Sequence, residues 1–135
     1  MLYLEKEINY MKKIIKTNNA PAAIGPYNQA ILSNNTLYCS GQIAIKPETG
    51  DLVIDNITNE TTQIMNNILA VLQSAKMDFS NVVKCSIFMK NLNNYVEVNK
   101  VYSDFFTKNY PAREAIEVSA LPKDVNIEIS VIAVK

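Results

Sequence analysis

The sequence contains no histidine, which removes the Ser-His-Asp and Cys-His nucleophile systems and the usual imidazole zinc sites together. Its two cysteines, Cys39 and Cys85, lie far apart in apolar stretches without a paired-cysteine metal spacing or a disulfide framework, and read as small buried hydrophobes. Chemistry therefore falls to carboxylates, arginine, tyrosine, serine, backbone amides and water, and neither a metal nor a cofactor is expected.

Arg113 is the side chain best suited to a small anion, because the parallel donors of a guanidinium match a carboxylate bidentately. In an extended segment it shares a face with Ala115 and Glu117, so an ion pair with Glu117 or with the adjacent Glu114 is the competing explanation. Glu128 alternates away from the Ile127 side of the last strand, either as a solvated carboxylate or as a carboxyl that handles a proton. Apolar surroundings would raise its pKa and a nearby arginine would lower it. Tyr27, after Gly25-Pro26, suits a loop anchor as well as a cleft wall. Ser40-Gly41 is an ordinary strand end or a place where a ligand approaches the main chain, and Asn99 sits on the polar face of a helix.

The elements that must position these residues follow from periodicity. Residues 12–17 read as a strand, residues 20–26 as a Pro- and Gly-interrupted loop, and residues 28–32 and 36–40 as a hairpin turning at Ser33-Asn34-Asn35. Residues 46–51 are a surface turn. A helix is expected from Glu60, capped by Thr58 or Asn59, with Ile64, Ile68, Leu72 and Ala75 inward and Gln63, Asn66, Asn67 and Gln73 outward. Residues 82–89 form a buried strand. A second helix carries Tyr95, Val98, Val101, Tyr102, Phe105 and Phe106 inward and ends near Lys108. Residues 111–119 are extended, residues 121–124 turn, and residues 125–134 form the last strand. Three strands, helix, strand, helix, two strands is an α+β order: one mixed sheet with both helices on one face. The last strand is apolar on both sides near its end, so the second face is expected to be buried against other subunits in a closed ring.

A chain of 135 residues, 48% hydrophobic and 19% charged, fits one globular domain over residues 11–135. Residues 1–10 carry Glu5 and Glu7, match neither a secretory signal nor a transit peptide, and read as an extension or a disordered tail of a cytoplasmic protein. With 13 basic and 13 acidic side chains the net charge is zero, which argues against nucleic-acid or membrane partners and leaves little repulsion against self-association.

Four segments resemble the Rid family of reactive-intermediate deaminases: Asn19-Ala20-Pro21-Ala22-Ala23-Ile24-Gly25-Pro26-Tyr27, Ser40-Gly41-Gln42, Asn91-Leu92-Asn93 through Asn99, and Tyr110-Pro111-Ala112-Arg113 through Leu121-Pro122-Lys123-Asp124-Val125. The resemblance implies a chorismate-mutase-like protomer, a homotrimer whose sheets form a central barrel, and active sites between neighbouring subunits. It implies hydrolysis of 2-iminopropanoate and 2-iminobutanoate to 2-keto acids and ammonia. Arg113 would then bind the substrate carboxylate and Glu128 would hold the attacking water, with Tyr27, Ser40, Gly41 and Asn99 lining the cleft and the backbone amide of Ala115 touching substrate. Many relatives have cysteine where this chain has Ala115, and a backbone contact survives that change. The alternative is a non-catalytic trimer that binds small carboxylates and regulates metabolism. Translation-inhibitor or ribonuclease roles, also described in the family, sit poorly with zero net charge and no basic stripe.

Overall fold

Asn34 and Asn35 both take left-handed backbone angles, φ 48° and 68°, the conformation a two-residue hairpin turn requires and asparagine tolerates. They join β2 (Ala30–Ser33) to β3 (Thr36–Gln42). The structure, a computed structural model of the chain, describes residues 12–135; the expected extension at residues 1–10 lies outside the described residues. Around this hairpin a six-stranded sheet forms in the order β1-β2-β3-β6-β4-β5, with β1 at Lys13–Ile15, β4 at Val82–Met89, β5 at Ala112–Glu117 and β6 at Ile127–Val134. Every pairing is antiparallel except β4 with β5. That parallel step needs a crossover, supplied by the second of the two α-helices among the described residues, α1 (Ile57–Ser74) and α2 (Tyr95–Asp104).

Both helices cover one face. Ile64, Ile68 and Leu72 of α1 and Val98 of α2 are fully buried in one cluster with Leu37, Ile127 and Ile129, so the expected α+β layer with helices on a single side holds. Cys39 and Cys85 are buried free thiols. The opposite face carries a row running from Ile14 through Ile31 and Tyr38 to Ile132 across four strands, and Ile14 and Tyr38 are more than half exposed, at 58% and 51%. No element among the described residues covers it.

Several local expectations are corrected. The cap of α1 is Asn56, in extended conformation with its side chain accepting from Asn59 N at 2.8 Å; Thr58 and Asn59 are already helical, and the Thr58 hydroxyl donates to Glu97 instead. Helix α2 stops at Asp104 rather than near Lys108, because Phe105 and Phe106 leave the helix to meet the edge of Phe79 at 5.4 and 5.3 Å. Asn67, expected outward, is 1% exposed and donates to the carbonyls of Ile43 (3.3 Å) and Ile45 (2.9 Å). The irregular chain after β3 crosses α1 there, and its carbonyls need donors. Tyr95, expected inward, is 41% exposed.

Glu60 is fully buried and accepts from Asn126, by the side-chain amide at 2.9 Å and the backbone N–H at 3.2 Å. It thereby fastens the entry to β6 onto α1. Burial pushes the Glu60 carboxyl above its ordinary value, with the Asn126 bonds opposing. A carboxyl raised in the folded state favours folding most fully below its unfolded value, and that contribution is lost as pH rises through the folded one. Glu60→Ala is therefore expected to cost about 2 kcal/mol near pH 5, from donors left unpaired, and less at pH 8; urea unfolding at the two pH values checks both the size and the direction.

Candidate functional site

The loop expected to line a cleft is fixed by a residue that carried no signal in the sequence. Gln29 is buried; its amide nitrogen donates to the carbonyls of Thr17 (3.0 Å), Ala20 (3.3 Å) and Pro21 (2.8 Å), and its oxygen accepts from Thr17 N at 2.8 Å. Four bonds from one side chain hold a segment that has no ladder of its own. Gly25, at φ 135°, takes an angle that favours glycine and swings the chain so that the Tyr27 hydroxyl accepts from Ile24 N at 3.3 Å. Tyr27 thus braces its loop while remaining half exposed in a cleft of about 590 Å³.

Ser40, Gly41 and Glu128 line the same cleft. The Ser40 hydroxyl donates to Asn28 O at 2.6 Å, and its N–H donates to Gln29 O at 2.9 Å. Gly41 lies where the pairing of β3 with β6 shifts register, and a Cβ there would stand 2.8 Å from Cδ of Glu128. Only glycine gives the carboxyl its place. Glu128 is half-buried, and desolvation raises its carboxyl above the ordinary value. The cleft also includes Lys123, from the turn at residues 121–124. Lys123 and Asp124 are both left-handed, at φ 54° and 57°, an uncommon and strained pair for non-glycine residues, and Asp124 is tied to Lys90 by a salt bridge.

Arg113 and Asn99 line a different cleft, of about 300 Å³, together with Tyr102 and Tyr110. The guanidinium donates from Nη2 to the Tyr95 hydroxyl at 3.0 Å, and its Cζ lies 4.8 Å from the centre of the Tyr102 ring. The ion-pair explanations do not hold. Glu114 instead accepts from Ser86 at 2.6 Å and pairs with Lys84 at 2.9 Å, contacts that hold its carboxyl down to about 2, while Glu117 accepts from Leu92 N at 3.1 Å. Among the described residues neither salt bridge involves Arg113. Ala115 follows on the same side of β5. Val118 N donates inward to Met89 O at 2.8 Å, so strand alternation turns the amide of Ala115 to the free edge of the sheet, open to a ligand.

The expected site residues therefore form two half-sites. Arg113 stands in register with the buried Cys85 and Val131, on the helix-covered face; Glu128 stands with Phe88 and Ile116, on the open face. Strand β4 lies between them, and at roughly 4.8 Å per strand the two are about 10 Å apart across the sheet alone. One copy of the chain cannot apply both groups to one small molecule. The Glu128 half offers a carboxyl with raised proton affinity beside exposed main chain, and the Arg113 half offers a cation without a carboxylate partner.

The family model described as Endoribonuclease L-PSP matches residues 17–135. The 2-iminobutanoate/2-iminopropanoate deaminase of Bos taurus is 45% identical over 125 residues, which cover 93% of this chain and 91% of that protein. A Lactococcus lactis protein that carries the name of a regulator, AldR, is 50% identical over 121 residues, covering 90% of this chain and 96% of that one. Among solved structures, a protein of unknown function of the conserved Rid family from Yersinia pestis superposes with a TM-score of 0.90 at 51% identity, covering 92% of this chain and 99% of that chain. No helix among the described residues is long and apolar enough to cross a membrane.

The Glu128 carboxyl should titrate above 4.5, its ordinary value, and the Gly41→Ala side chain should push it toward solvent and bring the midpoint back down. Carbon-13 NMR titration of the Glu128 side chain in both proteins reads the difference; equal midpoints would contradict the close-packing account.

Proposed function

Because the chain belongs to the Rid family, we propose that it hydrolyses small 2-imino acids to 2-keto acids and ammonia, at sites that two copies of the chain complete together. The observation that carries this reading is the separation of Arg113 and Glu128 onto opposite faces of one sheet. Neighbouring copies would bring the Arg113 half of one against the Glu128 half of the next. A heterologous contact closes into a ring where its rotation returns to the first copy, and a ring of three with the open sheet faces enclosing a central barrel would bury Ile14, Tyr38 and Ile116.

In such a site the Arg113 fork holds the substrate carboxylate, and the free amide of Ala115 adds a donor on the same edge. Glu128 accepts a proton from water as the water oxygen bonds to the imine carbon and the C=N electron pair moves to nitrogen. Protonation of that nitrogen lets ammonia leave as the carbonyl forms, so one water is consumed and no redox change occurs. A positioned acid-base group contributes roughly 10² to 10⁴ in rate, enough for a bond that water already cleaves. Tyr27, Ser40 and Gly41 shape the pocket around the water, while Asn99 stands beside Arg113. The reaction needs no metal or cofactor, and the balance of 13 basic and 13 acidic side chains gives nucleic acid or a membrane surface no part in it. A cytoplasmic setting, where such imines arise, fits this reading.

One observation favours a second reading. The Arg113 cleft stands apart from Glu128, and by itself would serve a carboxylate-binding regulator, the kind of name the Lactococcus lactis relative carries. Glu128 separates the two, since a sensor needs the arginine but no positioned water.

Release of pyruvate and ammonia from freshly generated 2-aminoacrylate should be accelerated by the wild type and lowered about 100-fold or more in Arg113→Ala and in Glu128→Gln. The acid limb of the wild-type profile should lie above pH 4.5, since the raised Glu128 carboxyl loses its basic form on acidification, and Glu128→Gln should remove the limb. The two inactive variants, unfolded together and refolded as a mixture, should regain about a quarter of wild-type activity, the share of contacts that pair an intact Arg113 with an intact Glu128 across neighbours. No recovery in mixed rings would place both groups within one copy and defeat the shared site. Keto-acid binding without turnover would favour the regulator.

A further inference from the structure

Tyr95 is an aromatic residue out of place. Its position in the apolar pattern of α2 points to the core, yet it is 41% exposed. With Asn99 and Tyr102 it forms a stripe at positions i, i+4 and i+7 along α2, so all three stand on one helix face, and that face is turned to Arg113. Tyr102 is buried with its ring centre 4.8 Å from Cζ; Tyr95 also turns its ring to the guanidinium, 5.5 Å from Cζ, and in addition accepts from it through the hydroxyl at 3.0 Å.

The ring contacts and the hydrogen bond constrain different motions. Stacking on a ring fixes the plane of a guanidinium but leaves it free to turn within that plane. A hydrogen bond from Nη2 to Tyr95 removes that rotation, and it occupies one of five donors, leaving others for a carboxylate. The amide of Asn99 first, and then the charge and hydrogen bond of Arg113, hold the Tyr95 phenol below its ordinary value. No carboxylate does this work, so the arginine keeps its full charge for a ligand.

We propose that Tyr95 is a positioning residue for Arg113: its hydroxyl sets the in-plane orientation of the guanidinium and so governs affinity for the carboxylate group of the ligand. The inference rests on the reading of Arg113 as the carboxylate-binding residue. It extends that reading to a side chain touching neither the reacting carbon nor the water.

Tyr95→Phe deletes only the hydroxyl of a half-exposed ring, so folding is expected to be unaffected. The affinity for 2-oxobutanoate, measured by calorimetry, should fall about tenfold, the size expected for losing a charge-assisted bond that preorganises the site. KM for imino acid should rise by the same factor while kcat stays within about twofold. In an Arg113→Lys background, which has no fork to orient, Tyr95→Phe should have no further effect. Wild-type binding and KM in Tyr95→Phe, or an equal loss in both backgrounds, would overturn the proposal. If the wild type binds 2-oxobutanoate but turns nothing over, and Tyr95→Phe weakens binding only beside an intact Arg113, the deaminase reading falls and the positioning role stands. If turnover is intact and Tyr95→Phe is silent, the positioning role falls alone.

Discussion

A β-strand turns successive side chains to opposite sides of its sheet, and that two-residue period governs where this chain can do chemistry. In β5 it sends Arg113 to the helix side; in β6 it sends Glu128 to the open side with Phe88 and Ile116. A slip of one residue in β6 would exchange core and surface along its whole length, moving Ile127 and Ile129, both fully buried, out of the core. The hydrophobic core therefore enforces the separation of the two charged groups, since no local adjustment can bring them together without exposing apolar surface. A chemistry that needs both must recruit a second copy, and the same sheet face that carries Glu128 presents the apolar surface such a copy could cover.

Regular elements supply the faces, but the clefts are made of irregular chain, which has to be held by side chains instead of ladders. Three buried polar groups do this. Gln29 ties the loop from Thr17 to Pro21, Asn67 reaches from α1 to the carbonyls of Ile43 and Ile45, and Glu60 reaches from α1 to Asn126. Each replaces a missing backbone partner; Gln29 lines the Glu128 cleft, as do Ile43 and Ile45, whose carbonyls Asn67 holds. Buried polar groups with satisfied partners fix one geometry where apolar packing would tolerate several. The left-handed pair Lys123–Asp124 persists in the same setting, with Lys90 bound to one side and Glu60 anchoring Asn126 on the other.

Periodicity made most of the fold legible. The helical spacing of Ile64, Ile68 and Leu72, the alternation in β6 and the turn at Asn34–Asn35 each reflect a local rule that the core then reinforces. The residues misplaced by the same reasoning are informative. Asn67 is a polar residue on a helix, where a side chain is taken to be solvated unless something in space calls for it, and the chain that calls for it lies more than twenty residues away in sequence. Tyr95 fits an apolar stripe by spacing, but its partner is Arg113 on another strand. Phe105 and Phe106 continued the pattern of α2 past its end, because contact with Phe79 uses the same residue types as a helix face. As for the candidate site, residue types and motif order singled out Arg113, Glu128, Tyr27, Ser40 and Gly41, and the structure places each of them in a cleft or beside one. Their division between two clefts required the register.

The division also bears on charge. Within one copy, desolvation raises the Glu128 carboxyl and Arg113 meets a phenol and aromatic faces, and among the described residues neither group is in a salt bridge. Each group is thus kept out of the pairing that would quench it, which would hold the carboxyl low and cancel the charge of the arginine. In the shared site proposed here, a bound carboxylate would stand between them and neutralise the guanidinium before it could depress Glu128. Proton affinity at Glu128 would then stay raised when substrate is bound. The hydroxyl of Tyr95, by orienting the guanidinium without neutralising it, keeps the cation available for that carboxylate.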